Sequence, residues 1–251
     1  MTIREKRVRA TLQELREAPL RPATAAANFG STLVVAAHPE DESLGCGGTI
    51  ALLRSMEVDV RVLVLGDGAR TPPRKGRQPI GALRKVRERE SLAALEILGV
   101  SPSAVAFLRL EECTVPTVDT PGFDEVAALC RSHIAAFAPS TVLLPWRRDP
   151  HIDHRATWQL IDAARSGLRF PLRLIEYPIW VWSVCSAENV PYPDEALAWR
   201  LDIREVQAKK QAAIAAYRSQ LINSPESQEQ LQMRAELLTH FAYPWEVFLE
   251  G

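Results

Sequence analysis

The sequence has no apolar run near the ~20 residues a membrane-spanning helix requires, so no membrane span is expected. The stretch from Met1 to Pro19 carries charge throughout, where a signal peptide needs an apolar core, and a cytoplasmic location is the expectation. Neither sign of charge dominates: 30 Lys and Arg stand against 31 Asp and Glu, which excludes the electrostatic footprint of a protein that binds nucleic acid or an anionic membrane surface. Cysteine is scarce. Cys46, Cys113, Cys130 and Cys185 form no C-x-x-C pair, which argues against a disulfide framework and fits reduced thiols. Internal repeats are absent as well. What remains is a chain of 251 residues, 47% hydrophobic and 24% charged, large enough for one substantial α/β core and expected to form a single domain over 1–251.

Residues 3–17, rich in Arg, Lys, Glu and Leu, read as a solvated helix, and Pro19 to Gly30 as a connector. From Thr32 apolar strands alternate with helical patterns: strands at 33–37, 59–65, 104–109 and 141–144, and helices at about 44–56, 80–98, 122–137 and 150–166. That rhythm is βαβ and implies a mostly parallel sheet. Leu98-Gly99-Val100 reads as a helix closing on glycine, and Asp149-Pro150 as an N-cap followed by proline at the first helical position. Later, Leu172 to Trp182 is strand-like and aromatic, Ala196 to Ile203 is another strand, and helices at about 204–218 and 226–240 finish the chain. The insertion from Gly66 to Gly81 is proline-rich and basic, with Arg70, Arg74, Lys75 and Arg77; it reads either as a lid over a polar substrate or as a solvated loop.

Two clusters carry the chemistry. Val34-Val35-Ala36-Ala37 runs straight into His38-Pro39-Glu40-Asp41-Glu42, and Thr141-Val142-Leu143-Leu144 precedes Asp149-Pro150-His151-Ile152-Asp153-His154. Apolar strands of this kind lie in the middle of a covered sheet, and ligands gather outside their carboxyl ends. Two such ends supplying histidine and carboxylate suggest a divalent metal site. A catalytic zinc takes three such ligands and keeps one position for water, and His38, Asp41 and His154 would suffice. Glu40 and His151 then lie beside the metal, where a carboxylate can take a proton from water and an imidazole at a helix amino terminus can polarise or protonate a reacting oxygen.

Other residues invite plainer readings. The Gly45-Cys46-Gly47-Gly48 run lacks the third glycine of a dinucleotide cradle and fits close packing of a helix on the sheet, with Cys46 a small apolar residue beneath the site. His133 and His240 read as packed or surface histidines. Tyr177, Trp180, Trp182 and Tyr192 read as core or subunit contact, or as a pocket lining; with the amino-terminal helix they are candidate contacts of a homo-oligomer. Arg87 and Glu90 could form an ion pair on a helix surface.

Together these residues resemble the LmbE/PIG-L family of metal-dependent N-deacetylases, which includes the GlcNAc-PI de-N-acetylases and whose signatures are Ala-His-Pro-Asp-Asp-Glu and His-x-Asp-His. Supporting matches are Leu44-Gly45-Cys46-Gly47-Gly48, Arg87-x-x-Glu90 before Leu98-Gly99, and Lys210 through Tyr217-Arg218-Ser219-Gln220. The resemblance implies a three-layer, Rossmann-like α/β fold and hydrolysis of an N-acyl group, commonly N-acetyl, on a small amino sugar or its conjugate. It makes His38, Asp41 and His154 the ligands of Zn2+ or another divalent metal such as Fe2+, Glu40 the general base, His151 the oxyanion-stabilising or acid residue, and Asp153 a residue that orients a histidine. Arg87 and Gln220 become candidates for substrate contact or support. The chain departs from the pattern at Glu40, where the family usually has Asp; the extra methylene displaces the carboxylate by about one bond, an error that can cost heavily in catalysis. Two alternatives stand beside this reading: a metal-binding relative with altered catalysis, and a non-haem iron oxygenase, which also uses two histidines and a carboxylate but usually on β-barrels.

Overall fold

The apolar strands read from the sequence assemble, with others, into one eight-stranded sheet among the described residues. The computed structural model describes residues 2–69, 80–219 and 237–251. In chain order the elements are α1 (Ile3–Glu17), β1 (Leu20–Arg21), β2 (Thr32–Ala36), α2 (Asp41–Ser55), β3 (Val60–Gly66), α3 (Ile80–Ile97), β4 (Val105–Leu110), α4 (Phe123–Phe137), β5 (Thr141–Pro145), α5 (Ile152–Arg165), β6 (Arg173–Tyr177), β7 (Leu197–Asp202), α6 (Gln207–Ala216) and β8 (Trp245–Glu250). The strand order is β1-β7-β8-β6-β5-β2-β3-β4, and all the pairings are parallel except those of β8, which runs antiparallel to both β6 and β7.

Alternate residues of each central strand face opposite layers, as strand geometry requires. Val34, Ala36, Val62, Val64 and Leu143 pack with Ile50, Leu53, Leu95 and Ile214 of α2, α3 and α6. Leu33, Val35, Leu63, Leu65, Val142 and Leu144 pack with Cys130 and Ile134 of α4 and Leu160 and Ile161 of α5. The result is three layers, the Rossmann-like arrangement expected. Full burial of a Leu or Ile side chain contributes roughly 1.5–3 kcal/mol. On α5 the buried Ala156, Leu160, Ile161 and Ala164 lie on one helical stripe, so Leu160→Ala would open a cavity costing about 2–5 kcal/mol.

Strand β2 pairs with β3 on one side and with β5 on the other, so the winding direction reverses between β2 and β5. A crevice opens at such a switch point, and both residue clusters emerge there. Two glycines allow the close approaches around it. A Cβ at Gly45 would meet the Tyr177 ring at 2.2 Å, and one at Gly66 would lie 2.6 Å from the carbonyl oxygen of Ala37. The glycine-rich run thus packs α2 on the sheet rather than cradling phosphate.

Several expectations are corrected. Helix α2 begins at Asp41 rather than near 44, and it breaks at Cys46 (φ −143°, ψ 22°). Past the break, the amides of Gly48 and Thr49 donate to Glu246 at 2.7 and 2.8 Å; Glu246 is also paired with the buried Lys210 at 2.8 Å. Glu246 lies on β8, a strand beyond the helices expected to finish the chain. The aromatic stretch from Leu172 is a strand only to Tyr177, followed by a 3-10 turn at Trp180–Trp182. Asp149 does not cap α5; the cap is His151, whose Nδ1 accepts from the Asp153 amide at 3.2 Å. Arg87 is 2% exposed and Glu90 accepts instead from the amide and hydroxyl of Ser219, so the surface-pair reading of Arg87 and Glu90 is wrong. The four cations of the expected lid, most of the 226–240 helix and Gln220 lie outside the described residues.

Candidate active site

His38 leaves the end of β2 and His154 sits in the first turn of α5, the element after β5; the two imidazole centroids are 5.5 Å apart. Between them lies Asp41, whose Oδ2 is 3.5 Å from His38 Nδ1 and 3.3 Å from His154 Nε2. The remaining nitrogen of each ring faces a different carboxylate. His38 Nε2 is 2.8 Å from Asp153 Oδ2, and His154 Nδ1 is 3.2 Å from Asp149 Oδ1. Each imidazole is thereby held in orientation from behind, the arrangement that fixes tautomers and basicity in metal-ligating histidines. Asp149 is itself anchored by the amides of His151, Ile179 and Trp180, and Asp153 by the amide of Cys113 at 2.7 Å.

The electrostatics follow from this layout. Burial alone would lower the pKa of His38, but hydrogen bonds to Asp153 and Asp41 outweigh it and bring the group up to about 9. Burial is likewise outweighed at His154, where Asp41 and Asp149 raise the imidazole to about 10. Asp41 is buried too, yet His154 and His38 hold it well below the usual carboxylate range. His151 moves the other way, down to about 4, through burial and the neighbouring positive imidazoles. Three buried carboxylates thus demand positive charge, which two protons on imidazoles supply. A divalent cation between His38, Asp41 and His154 would answer the same demand and release those protons. The residues fit such an ion: His154 is wholly buried, and neither ring nitrogen has a hydrogen-bond partner of good geometry among the described residues. A wider set also converges, since His38, His151 and His154 offer ligand atoms within 4.8 Å of one another.

Glu40 stands at φ 108°, in left-handed space that a residue with a long side chain seldom adopts. Its conformation is held from several sides. Its carbonyl accepts from the amides of Ser43 and Leu44 at 3.0 and 2.9 Å, and its amide donates to Glu42 Oε2 at 3.1 Å. Arg87 donates to the Pro39 carbonyl at 2.9 Å and reaches Glu40 Oε2 at 3.4 Å. Glu42 is fully buried and also accepts from Ser43 and from the Tyr217 hydroxyl; burial pushes it up to about 7 against those bonds. Trp180 stacks near His151, with centroids 6.3 Å apart, and so borders the cluster, whereas Tyr177 and Trp182 are buried and Tyr192 is exposed. His240 is packed on the Trp182 ring at 3.7 Å, away from the cluster, and His133 is half-buried on α4.

Of the residues read from the sequence, the structure brings His38, Asp41, His151, Asp153 and His154 into contact with one another, with Glu40 next to Asp41 in the turn and its carboxylate toward Arg87. Sequence reasoning missed Asp149 as the partner of His154, and Glu42, Tyr217 and the Cys113 amide as supports. A signal for Asp149 existed: two carboxylates and two imidazoles in six residues exceed what one helix cap needs.

The architecture and this cluster define a Rossmann-like α/β protein with a histidine–carboxylate centre at the switch point of its sheet. Within that class the chain belongs to the PIG-L family, described as GlcNAc-PI de-N-acetylase: the family's sequence profile matches residues 33–165, a span that holds both clusters. A curated relative, 1D-myo-inositol 2-acetamido-2-deoxy-alpha-D-glucopyranoside deacetylase of Gordonia bronchialis, is 28% identical over 244 residues, covering 78% of this chain and 86% of the relative. Two solved structures share the fold at 22% identity. The A40926 pseudoaglycone deacetylase matches with a TM-score of 0.66 over 88% of this chain and 97% of its own. The 4-carboxy-2-hydroxymuconate hydratase of Pseudomonas putida matches with a TM-score of 0.65 over 88% and 95%. One fold therefore carries different reactions, and the reaction of this chain has to be argued from its site.

Proposed function

We propose that the protein is a metal-dependent N-deacetylase that hydrolyses the acetamide of a small amino sugar or its conjugate, with zinc as the expected ion. The observation that carries this is Asp41 Oδ2 set between His38 Nδ1 and His154 Nε2, with a carboxylate behind each ring. His38, Asp41 and His154 would hold the ion, which when bound acidifies water and polarises an amide carbonyl. Glu40 takes the proton of the attacking water. His151 accepts from the Asp153 amide at Nδ1, so its proton sits on Nε2, where it donates to the carbonyl oxygen as negative charge builds there. Asp153 and Asp149 keep His38 and His154 in orientation. The C–N bond then breaks, and a proton passes to the departing amine, leaving acetate and a free amino sugar. The Gordonia relative, named as a deacetylase of an acetamido sugar joined to inositol, supports this substrate class. Arg87 supports Glu40 in this reading rather than touching substrate.

The test is amine release from N-acetylglucosaminyl-inositol and simpler acetamido sugars by protein reconstituted with zinc or with ferrous iron. Release that depends on the metal is expected. Bound metal without release from any acetamido sugar would reject the proposal. One observation favours a second reading: Glu40 is longer than the family's Asp and lies within reach of Arg87, which suits a metal-binding member with altered catalysis. Recovery of hydrolysis in Glu40→Asp would identify that case.

A further inference from the structure

The loop after β4 carries a second set of metal-ligating groups. Glu112, Cys113 and His151 offer ligand atoms that all lie within 4.8 Å of one another, and they come from two separate parts of the chain. The loop backbone is pinned on both sides: the Glu112 amide donates to Asp67 Oδ1 at 3.3 Å and the Cys113 amide to Asp153 Oδ2 at 2.7 Å. Cys113 is held at φ 65°, left-handed space that a non-glycine residue keeps only where its surroundings enforce it. The exposed Cys113 thiol thus lies beside the half-buried His151.

Thiolate, imidazole and carboxylate are the ligand types that zinc takes, whereas magnesium and calcium take oxygen alone. Bonds of about 2.0–2.3 Å in a tetrahedron place ligand atoms roughly 3.3–3.8 Å apart, so the three groups need to close by about an ångström. The exposed side of Cys113 leaves the fourth position to water. One cost is visible in the geometry. Ligation draws on the imidazole whose lone pair now accepts from the Asp153 amide at 3.2 Å, so an ion here is held more weakly than one between His38, Asp41 and His154.

We propose that Glu112, Cys113 and His151 form a second, lower-affinity site for a thiophilic divalent cation such as Zn2+, and that filling it withdraws His151 from the reaction. Ion binding here stands on this cluster alone; its inhibitory consequence rests on the deacetylase reading. Excess zinc would then switch off an enzyme that its first equivalent switches on.

The experiment is a titration of the full chain with Co2+ followed in the near ultraviolet, paired with turnover measured against rising Zn2+. Beyond the first equivalent, wild type should develop a thiolate-to-cobalt charge-transfer band, and Cys113→Ser should lack it. Glu112→Gln, which leaves every cysteine in place and keeps a weaker, neutral oxygen donor where the carboxylate stood, should keep the band but need at least about tenfold more cobalt. The Zn2+ concentration that halves turnover should rise about tenfold or more in Cys113→Ser. A band of equal size in Cys113→Ser, or none in wild type, overturns the site. A band in wild type whose turnover ignores excess zinc overturns the inhibition. Wild type inactive on every acetamido sugar rejects the deacetylase reading, while the band still decides the site.

Discussion

The turn after β2 and the segment leading into α5 bring similar donors to one crevice, yet the first holds Glu40 at φ 108° while the second enters its helix through His151 at an ordinary φ −73°, ψ 130°. The α5 segment takes its backbone from an ordinary helix entry, where residues three apart share a face and His151 and His154 arrive together. Its carboxylates are anchored from elsewhere, Asp149 by the amides of Ile179 and Trp180 and Asp153 by that of Cys113. The β2 turn needs help from elsewhere in the chain. Arg87 comes from α3 and Tyr217 from the end of α6, and both touch the turn or its Glu42. Strain of about 1–3 kcal/mol at such a residue persists only where the surroundings over-determine it. The backbone of one half is therefore an ordinary helix entry set by local sequence, and that of the other is held in left-handed space by tertiary contacts. Substitutions in the two halves should fail differently.

The largest effect falls where the halves meet. His154→Ala from the α5 side and Asp41→Ala from the β2 side should each take bound metal from about one ion per chain to near none, since a three-ligand site loses a ligand. Elemental analysis after gel filtration checks this, and full stoichiometry in both variants would remove the assignment. Next comes Glu40→Gln, which should keep the ion and cut turnover ~10²–10⁴-fold, the usual contribution of a general base. Near-normal turnover by Glu40→Gln would mean that the strained turn serves something other than proton transfer.

Two smaller changes sharpen the contrast. Asp149→Asn leaves His154 in place but weakens its carboxylate partner at 3.2 Å, and metal affinity should fall about 10–100-fold by competition with a chelator. An unchanged affinity would show that the α5 half needs no support after all. The smallest effect belongs to Tyr217→Phe, which removes the phenol that donates to buried Glu42. Above pH 7, where Glu42 is ionised, loss of a hydrogen bond to a charged group costs roughly 1.5–3 kcal/mol, so the melting temperature should drop by several degrees while metal content stays the same. Metal loss in Tyr217→Phe would mean that the β2 turn collapses as a unit rather than relaxing locally.

Legibility in the sequence divides along the same line. The strands ending at Ala36 and Pro145 were readable because four apolar residues in a row followed by polar ones mark a covered strand end, and the helical stripe of α5 was readable from its period. Arg87 was not. Its spacing to Glu90 fits a surface pair as well as a buried support, and only the packing of α3 against the β2 turn separates the two. Strand β8 was missed because Trp245 to Glu250 is a short run with no periodicity of its own, and it becomes a strand through pairing with β7 along its whole length. Asp149 misled in another way: aspartate before proline at a helix start is a sound cap signal, but the cap went to His151 because three amides and His154 already claim the Asp149 carboxylate.

By itself the sequence determined the alternation of strands and helices, the two strand ends from which chemistry emerges, and the identity of every donor there, because these follow from local patterning and side-chain type. Only the tertiary structure decided which carboxylate stands behind which imidazole, what holds Glu40 in left-handed space, and that Cys113 and Glu112 arrive beside His151. Apart from Asp149 and His154, five residues apart, those are contacts between groups dozens of residues apart, whose meeting depends on sheet order and helix packing rather than on any short stretch of chain.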